Sequence, residues 1–180
     1  MIFKILLVSD EVENFQREIA IDADATFLDL NNAILNACHY SDDQITCFYT
    51  CNEDWEQEAQ IIREEMDSTS AEDDVYLMHN TAIRDLLNDV GDKLVFVFDP
   101  LSERMFFLKV SEVITGKDLK EAQCTKSVGN APTQIIDYDD ALKGLNVDDT
   151  NIMDDDQDFY GTDGYNEDEF DPEAFEIEDN

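Results

Sequence analysis

Alternation of apolar and polar residues at the start of the chain predicts a β-hairpin. Residues 2–8 are rich in β-forming side chains, and in the segment 15–21 one face is made of Phe15, Arg17, Ile19 and Ile21 and the other of Gln16, Glu18 and Ala20. A period of two is typical of a strand with one buried face. The polar residues 9–14 lie between the two segments, so we expect a turn there and pairing of the two strands.

An amphipathic helix is predicted at residues 27–39. Its apolar residues recur at helical spacing, at Phe27, Leu30, Ile34 and Ala37. Thr26 precedes them, and Asp29 lies three residues further on, which is the spacing of a capping box. With a third strand at residues 45–50, the order strand–strand–helix–strand predicts a β-grasp-like opening. We therefore expect an α+β fold with a mixed or antiparallel sheet and helices packed on one face.

The middle of the chain is ambiguous between helix and strand. Residues 55–66 place apolar side chains on one helical face, yet residues 59–62 also fit a short strand. Asn80 or Thr81 is then predicted to cap a short helix that contains Ile83 and Val90 and ends at Gly91, a residue typical of the position after a helix.

A second hairpin follows, with strands at residues 93–98 and 105–114 and a turn at Asp99 and Pro100. Apolar residues occur on both faces of these strands, which indicates burial on both sides and a central place in the sheet. A last element is expected around Cys124.

The charge of the chain is far from balanced. It has 180 residues with 45 acidic and 11 basic side chains, a formal net charge of −34. A surface this negative repels phosphate backbones and anionic lipids. We expect no direct binding of nucleic acid or membranes, and a basic protein as the natural partner.

A change of composition divides the chain. Residues 144–180 hold fifteen acidic and no basic residues. Such a segment buries too little apolar surface to offset the entropy of ordering. We predict a globular domain at residues 1–145 and an acidic tail at residues 146–180, disordered or loosely docked.

Aromatic residues interrupt the acidic tail, although a purely solubilising segment needs none. They can anchor in apolar pockets of a partner while the charges steer association, or they can fold back on their own domain; both interpretations stay open. The candidate partner-binding residues are Phe159, Tyr160, Tyr165, Phe170 and Phe175.

No reaction or cofactor is indicated by the candidate chemistry. His39 and His79 are the two histidines, and a helix-end or surface role suits them better than catalysis. The four cysteines, Cys38, Cys47, Cys51 and Cys124, lack the paired spacing of a zinc site and are interpreted as reduced, buried small hydrophobes.

A partial calcium-loop pattern occurs in the acidic tail, but it is a poor match. Asp156, Asp158 and Glu167 have the spacing of EF-hand ligands, whereas Tyr160 occupies a ligand position that it fits badly. Partial matches of this kind arise by chance in an acidic segment, so we assign no metal site.

Several segments resemble the plasmid pRiA4b open-reading-frame-three-like family, which is found beside mobile elements. They are residues 25–30, residues 91–99, Cys124, and the loop at residues 129–132. The resemblance covers about residues 1–145, with the acidic tail outside it, and it implies an α+β domain without an established activity.

Two family segments are altered in this chain. The family's Asp-Phe-Gly-Asp run is replaced by residues 99–102, of which only Asp99 matches, and its double-proline, glutamate and aspartate segment is reduced to residues 131–134. If those segments build a site, the resemblance implies that the site is changed here.

We interpret the chain as a cytoplasmic interaction protein rather than an enzyme. It has no bilayer-length apolar stretch and no signal-peptide pattern. Two alternatives stay open: a nucleic-acid mimic that occupies a DNA-binding protein, and an enzyme with a carboxylate or metal site that the sequence does not reveal.

Overall fold

A large, mostly antiparallel sheet with two helices forms the described part of the protein. The computed structural model describes residues 1–64 and 74–136, all within one unit, Met1–Asp137. The strands are β1 (Ile2–Val8), β2 (Gln16–Asp22), β3 (Cys47–Cys51), β4 (Gln57–Ile62), β5 (Val75–Leu77), β6 (Lys93–Asp99), β7 (Arg104–Ile114) and β8 (Gln123–Val128), and the helices are α1 (Phe27–Cys38) and α2 (Ile83–Leu86).

The eight strands of the described residues lie in the order β5-β4-β3-β6-β7-β1-β2-β8. Neighbours are antiparallel except β4 and β5, which are parallel. The predicted α+β class with a mixed, mainly antiparallel sheet is confirmed.

The first hairpin forms as predicted. β1 and β2 pair antiparallel, with Ile5 opposite Ile19 and Leu7 opposite Arg17. Phe3, Ile5 and Leu7 alternate along β1 toward the core, where they are at most 1% exposed. The period of two in the sequence therefore corresponds to a strand face that points into the core.

Helix α1 begins and ends close to its predicted limits. The Thr26 hydroxyl accepts a hydrogen bond from the Asp29 amide, and the Asp29 carboxylate accepts one from the Thr26 amide. His39 ends the helix in the left-handed conformation, with φ 58°. The capping box and the helix-end placement of His39 are both confirmed.

The β-grasp-like opening is not seen in the pairing of the strands. β3 follows α1 in the chain, but it pairs with β4 and β6, whereas β1 pairs with β2 and β7. The long apolar strand β7 occupies the place beside β1, and this distant pairing carries no local signal in the sequence.

The ambiguous middle segment is a strand, β4, rather than a helix. The helix predicted after Asn80 is shorter than expected: it has four residues, its N-cap is Ala82, and Leu87 is already extended. Leu87 is 1% exposed, so its side chain is buried in the extended conformation that follows the helix. Gly91, with φ 107°, therefore serves a later turn and not the helix end.

The second hairpin lies at the centre of the sheet. β6 and β7 are adjacent inner strands, and the five residues from Leu94 to Phe98 are all buried. Phe106 on β7 is fully buried and packs with Phe15, Phe98 and Tyr40. The predicted central position is confirmed, and so is two-sided burial of β6. On the second face of β7, Met105 and Phe107 are only partly buried and Lys109 is exposed, so two-sided burial of β7 is wrong.

Among the described residues, no helix is both long enough and apolar enough to cross a bilayer.

Candidate functional site: an apolar groove with an acidic rim

A second, smaller apolar cluster lies on the face of the sheet opposite the main core. Alternation places Val97 on one side of β6 and Phe96 and Phe98 on the other, and only the two phenylalanines belong to the main cluster. The second cluster contains the buried residues Cys47, Ile62 and Val97, with Tyr49, Val75, Leu77 and Met105 packed partly buried against them.

A groove of about 1100 Å³ lies against this cluster. Its floor comes from β3, β4, β6 and β7, which place Cys47, Tyr49, Ile62, Val97 and Met105 along it. A rigid sheet therefore supports the floor, whereas the α1–β3 connection and the β6–β7 turn supply the sides. These connections contribute Asp42, Asp43, Gln44, Ile45, Thr46, Pro100 and Glu103.

The sides of the groove carry more negative than positive charge. We call the four carboxylates Asp42, Asp43, Glu64 and Glu103 the acidic rim. Arg63 is the cation of the lining, and it is already paired: its Nη2 lies 2.6 Å from Asp42 Oδ1, and its Nη1 donates to the Asp42 carbonyl at 3.1 Å. The remaining rim carboxylates give the groove a net negative potential.

Local hydrogen bonds favour the ionised form of Asp43. Its carboxylate accepts hydrogen bonds from the Ser41 hydroxyl and, at 3.2 Å, from the Gln44 amide. These hydrogen bonds, the Ser41 bond foremost, hold the pKa of Asp43 below its usual value. Asp43 therefore contributes a negative charge to the rim at neutral pH.

A polar pair interrupts the apolar floor. The Gln60 side-chain amide donates to the Tyr49 hydroxyl at 2.7 Å, and burial raises the pKa of Tyr49, so the phenol stays protonated at neutral pH. The pair adds hydrogen-bonding groups to a surface that is otherwise suited to apolar side chains.

Three exposed apolar side chains lie in the α1–β3 connection, the β6–β7 turn and the segment at residues 131–136. Ile45 lines the groove and is 62% exposed, Leu101 in the β6–β7 turn is 97% exposed, and Ile135 is 61% exposed. Ile135 follows Gln134, whose amide donates to the Ser41 carbonyl at 2.8 Å.

Arg104 joins the β6–β7 turn to the segment at residues 131–136. Its guanidinium makes a bidentate pair with Glu11 at 2.9 and 2.8 Å and donates to the carbonyls of Thr133 and Gln134 at 2.7 and 3.1 Å. The Glu11 hydrogen bonds raise the pKa of Arg104. Asp99 lies 3.7 Å from the same guanidinium.

The two segments that differ from the family pattern therefore meet in space. Tyr40 reinforces the junction, because its hydroxyl donates to the Pro132 carbonyl at 2.7 Å and its ring packs on Phe98 and Phe106. Burial raises the pKa of Tyr40 well above its usual value. These contacts are structural, and they position the β6–β7 turn beside the groove.

The cysteines have different environments. Cys38 and Cys47 are buried, as predicted, whereas Cys51 is half-buried and Cys124 is exposed on β8. The interpretation of Cys124 as a buried side chain is wrong, because β8 is an edge strand whose residues are all exposed. Burial raises the pKa of Cys38 to about 12 and also raises that of Cys47.

The described residues contain no group of three or more His, Cys, Asp or Glu side chains that could hold a metal ion. His79 is exposed, in keeping with its predicted surface role. The candidate partner-binding aromatics and the partial calcium-loop pattern of the acidic tail lie outside the described residues.

The groove was missed by reasoning from the sequence. One feature of the sequence pointed to the groove: the apolar run of β6 indicated burial on both faces of that strand. The other strands that line the groove could not be assigned to it, because they are far apart in the chain. The contacts of Arg104 could not be predicted from the sequence, because its partners Glu11 and Gln134 are 93 and 30 residues away.

The chain belongs to the plasmid pRiA4b ORF-3-like protein family, whose sequence pattern matches residues 1–179. This match corrects the expected coverage of residues 1–145, because it extends through the acidic tail. The segments that carry the resemblance all lie before residue 133, so they contain no signal for the tail.

The fold is similar to a crystal structure of a protein of unknown function from Methanosarcina mazei Go1. The TM-score is 0.54 at 16% identity, over 70% of this chain and 68% of that protein. No curated protein matches the chain.

Proposed function

We propose that this chain is a cytoplasmic interaction protein that binds a basic protein partner through its acidic surface and its acidic tail. The observation that carries the proposal is the excess of 45 acidic over 11 basic residues, found together with a groove whose rim is acidic and whose floor is apolar. Charge of this kind accelerates association with a basic partner and repels acidic ones.

The tail supplies the second part of the proposed contact. Phe159, Tyr160, Tyr165, Phe170 and Phe175 lie among carboxylates, and aromatic anchors contribute strongly when they enter pockets of a partner. We infer further that the chain is associated with mobile elements, as the resemblance to its family implies.

Affinity purification from the native host tests this proposal. We expect the full chain to capture a basic protein that elutes as salt is raised, because screening weakens charge attraction. The same capture should fall sharply with a chain ending at residue 145. Recovery of neutral or acidic proteins alone would contradict the proposal.

Added duplex DNA distinguishes simple binding from nucleic-acid mimicry. If the captured protein binds DNA and DNA displaces it competitively, the chain occupies a DNA-binding face and the mimic alternative is favoured. If DNA has no effect, the partner is bound at another surface.

A further inference from the structure

We propose that the groove is a docking site for a peptide segment of the partner in which an apolar side chain is flanked by lysine or arginine. This inference rests on the proposed function and assigns the recognition to one place in the described domain. The apolar floor is complementary to the apolar side chain of this segment, and the acidic rim is complementary to its cationic side chains.

The floor favours an apolar anchor. Ile62, Val97 and Cys47 are 6–8% exposed, with Tyr49 and Met105 partly buried beside them. Ile45, at 62% exposure, adds apolar surface at the side of the groove. A leucine or similar side chain that contacts this surface leaves water, which favours binding in proportion to the apolar area that is covered.

The rim favours cations on both sides of that anchor. Asp42 and Asp43 lie in the α1–β3 connection, and Glu103 lies in the β6–β7 turn, so both sides of the groove carry carboxylates. Because Arg63 is held by Asp42, it does not neutralise the others. A phosphorylated or acidic segment meets repulsion at the same positions.

The groove is compatible with an extended segment. Its lining runs across four strands, β3, β4, β6 and β7, and its volume of about 1100 Å³ lies at the upper limit of the range of about 300–1,000 Å³ typical of small-ligand pockets. The hydroxyl of Tyr49 and the amide of Gln60 provide hydrogen bonds for peptide groups that pass over the floor.

Two defined peptides separate the apolar from the charged contribution. The leucine peptide is Lys-Lys-Leu-Lys-Lys and the serine peptide is Lys-Lys-Ser-Lys-Lys, both with blocked ends. Each is titrated into the full-length, isotope-labelled chain while amide shifts are followed by NMR. We expect the leucine peptide to bind about tenfold more tightly, with shifts at Cys47, Tyr49, Ile62 and Val97.

Replacement of Ile45, an exposed side chain at the side of the groove, tests the apolar contribution without removing a core residue. Ile45→Ser should lower the affinity for the leucine peptide several-fold and leave the serine peptide unaffected. Val90→Ser is the matched control, because Val90 is 61% exposed and lies outside the groove. It should change neither affinity.

Replacement of rim carboxylates tests the charges. The double variant Asp43→Asn, Glu103→Gln should weaken both peptides and reduce the dependence of their affinity on salt. Asp89→Asn with Glu121→Gln removes the same charge from exposed positions outside the groove, and it should have a smaller effect. Equal loss in the two double variants would mean that only net charge acts.

The outcomes distinguish this inference from the proposed function. Equal affinities for the two peptides, or shifts away from the groove, would overturn the docking site while a basic partner captured from the host still supported the function. Tight, groove-dependent binding of the leucine peptide without any basic partner in the host would support the site and contradict the function.

Discussion

At the scale of single residues, a stack of aromatic rings holds the two central strands to the rest of the core. Phe106 has no exposed surface, and its ring centroid lies 4.6 Å from that of Phe98 and 5.0 Å from that of Phe15. Phe107, the next residue on β7, points to the other face, where its ring meets Trp55 edge-on. Neighbouring phenylalanines therefore have unequal roles.

Phe106→Ala should lower the free energy of unfolding by about 3–5 kcal/mol, because it removes a fully buried ring and leaves a cavity. Urea unfolding of the wild type and variant measures the difference. Phe107→Ala is the matched control and should cost less, because Phe107 is only half-buried. Equal costs for both variants would show that Phe106 is not the main anchor.

The cysteines provide a second test at this scale. Burial raises the pKa of Cys38 to about 12, so at pH 8.5 almost none of this thiol is the reactive thiolate. Cys124 is exposed. Iodoacetamide should therefore alkylate Cys124 first and reach Cys38 only after unfolding, as followed by mass spectrometry of peptides. Rapid labelling of Cys38 in the folded chain would contradict its burial.

At the scale of elements, the sequence predicted those helices and hairpins that are determined by residues close together in the chain. The first hairpin, the capped helix α1 and the central hairpin were all predicted, since each is encoded by periodicity, caps and turn residues within a short segment. The β-grasp-like pairing was wrong because the neighbour of β1 is β7, about a hundred residues further along the chain. The groove is likewise built from strands that are far apart in the chain. The apolar run of β6 is therefore the one part of it that the sequence indicated.

The Arg104 junction should be essential for holding residues 131–136 to the domain. Arg104→Met removes the bidentate pair and two carbonyl contacts, and loss of a buried ionic partner typically costs about 3–5 kcal/mol. We expect lower stability in urea and faster hydrogen exchange of amides in residues 131–136.

Two controls separate charge from geometry at this junction. Arg104→Lys keeps the charge but loses the forked contacts, so it should recover only part of the stability. Glu11→Gln keeps much of the shape and should be milder, because Glu11 is 32% exposed and its charge is partly solvated. Wild-type exchange rates in Arg104→Met would show that other contacts hold the segment.

At the scale of the whole molecule, charge is unevenly distributed along the chain. All basic residues lie at or before Lys143, and fifteen acidic residues follow it. The family pattern nevertheless runs through this region to residue 179. The acidic tail is thus a feature of the matched sequence and not an unrelated appendage.

Limited proteolysis tests the predicted division of the chain. Residues 1–145 should survive as a stable core, because every strong periodic element and every basic residue lies there. Mass spectrometry should locate the first cleavages near residue 145 or beyond it. Early cleavage between residues 93 and 114, with the tail intact, would contradict the predicted domain.

Removal of residues 146–180 should leave the fold stable, or stabilise it slightly by relieving like-charge repulsion, and should sharply weaken capture of a basic partner. Thermal unfolding and a binding assay on the same two chains measure both effects. Loss of stability on deletion, with large shifts of core amides in NMR spectra, would mean that the tail packs as part of the domain.

The contributions of charge and aromatic anchors in the tail can then be separated. Changing Phe159, Tyr160, Phe170 and Phe175 to serine retains every carboxylate. If the rings act as anchors, affinity should fall while its salt dependence persists, because the electrostatic part of the contact is unchanged. If charge alone acts, the serine variant should bind like the wild type. The groove variant Ile45→Ser provides the comparison: additive losses would indicate that tail and groove contact the partner at separate points.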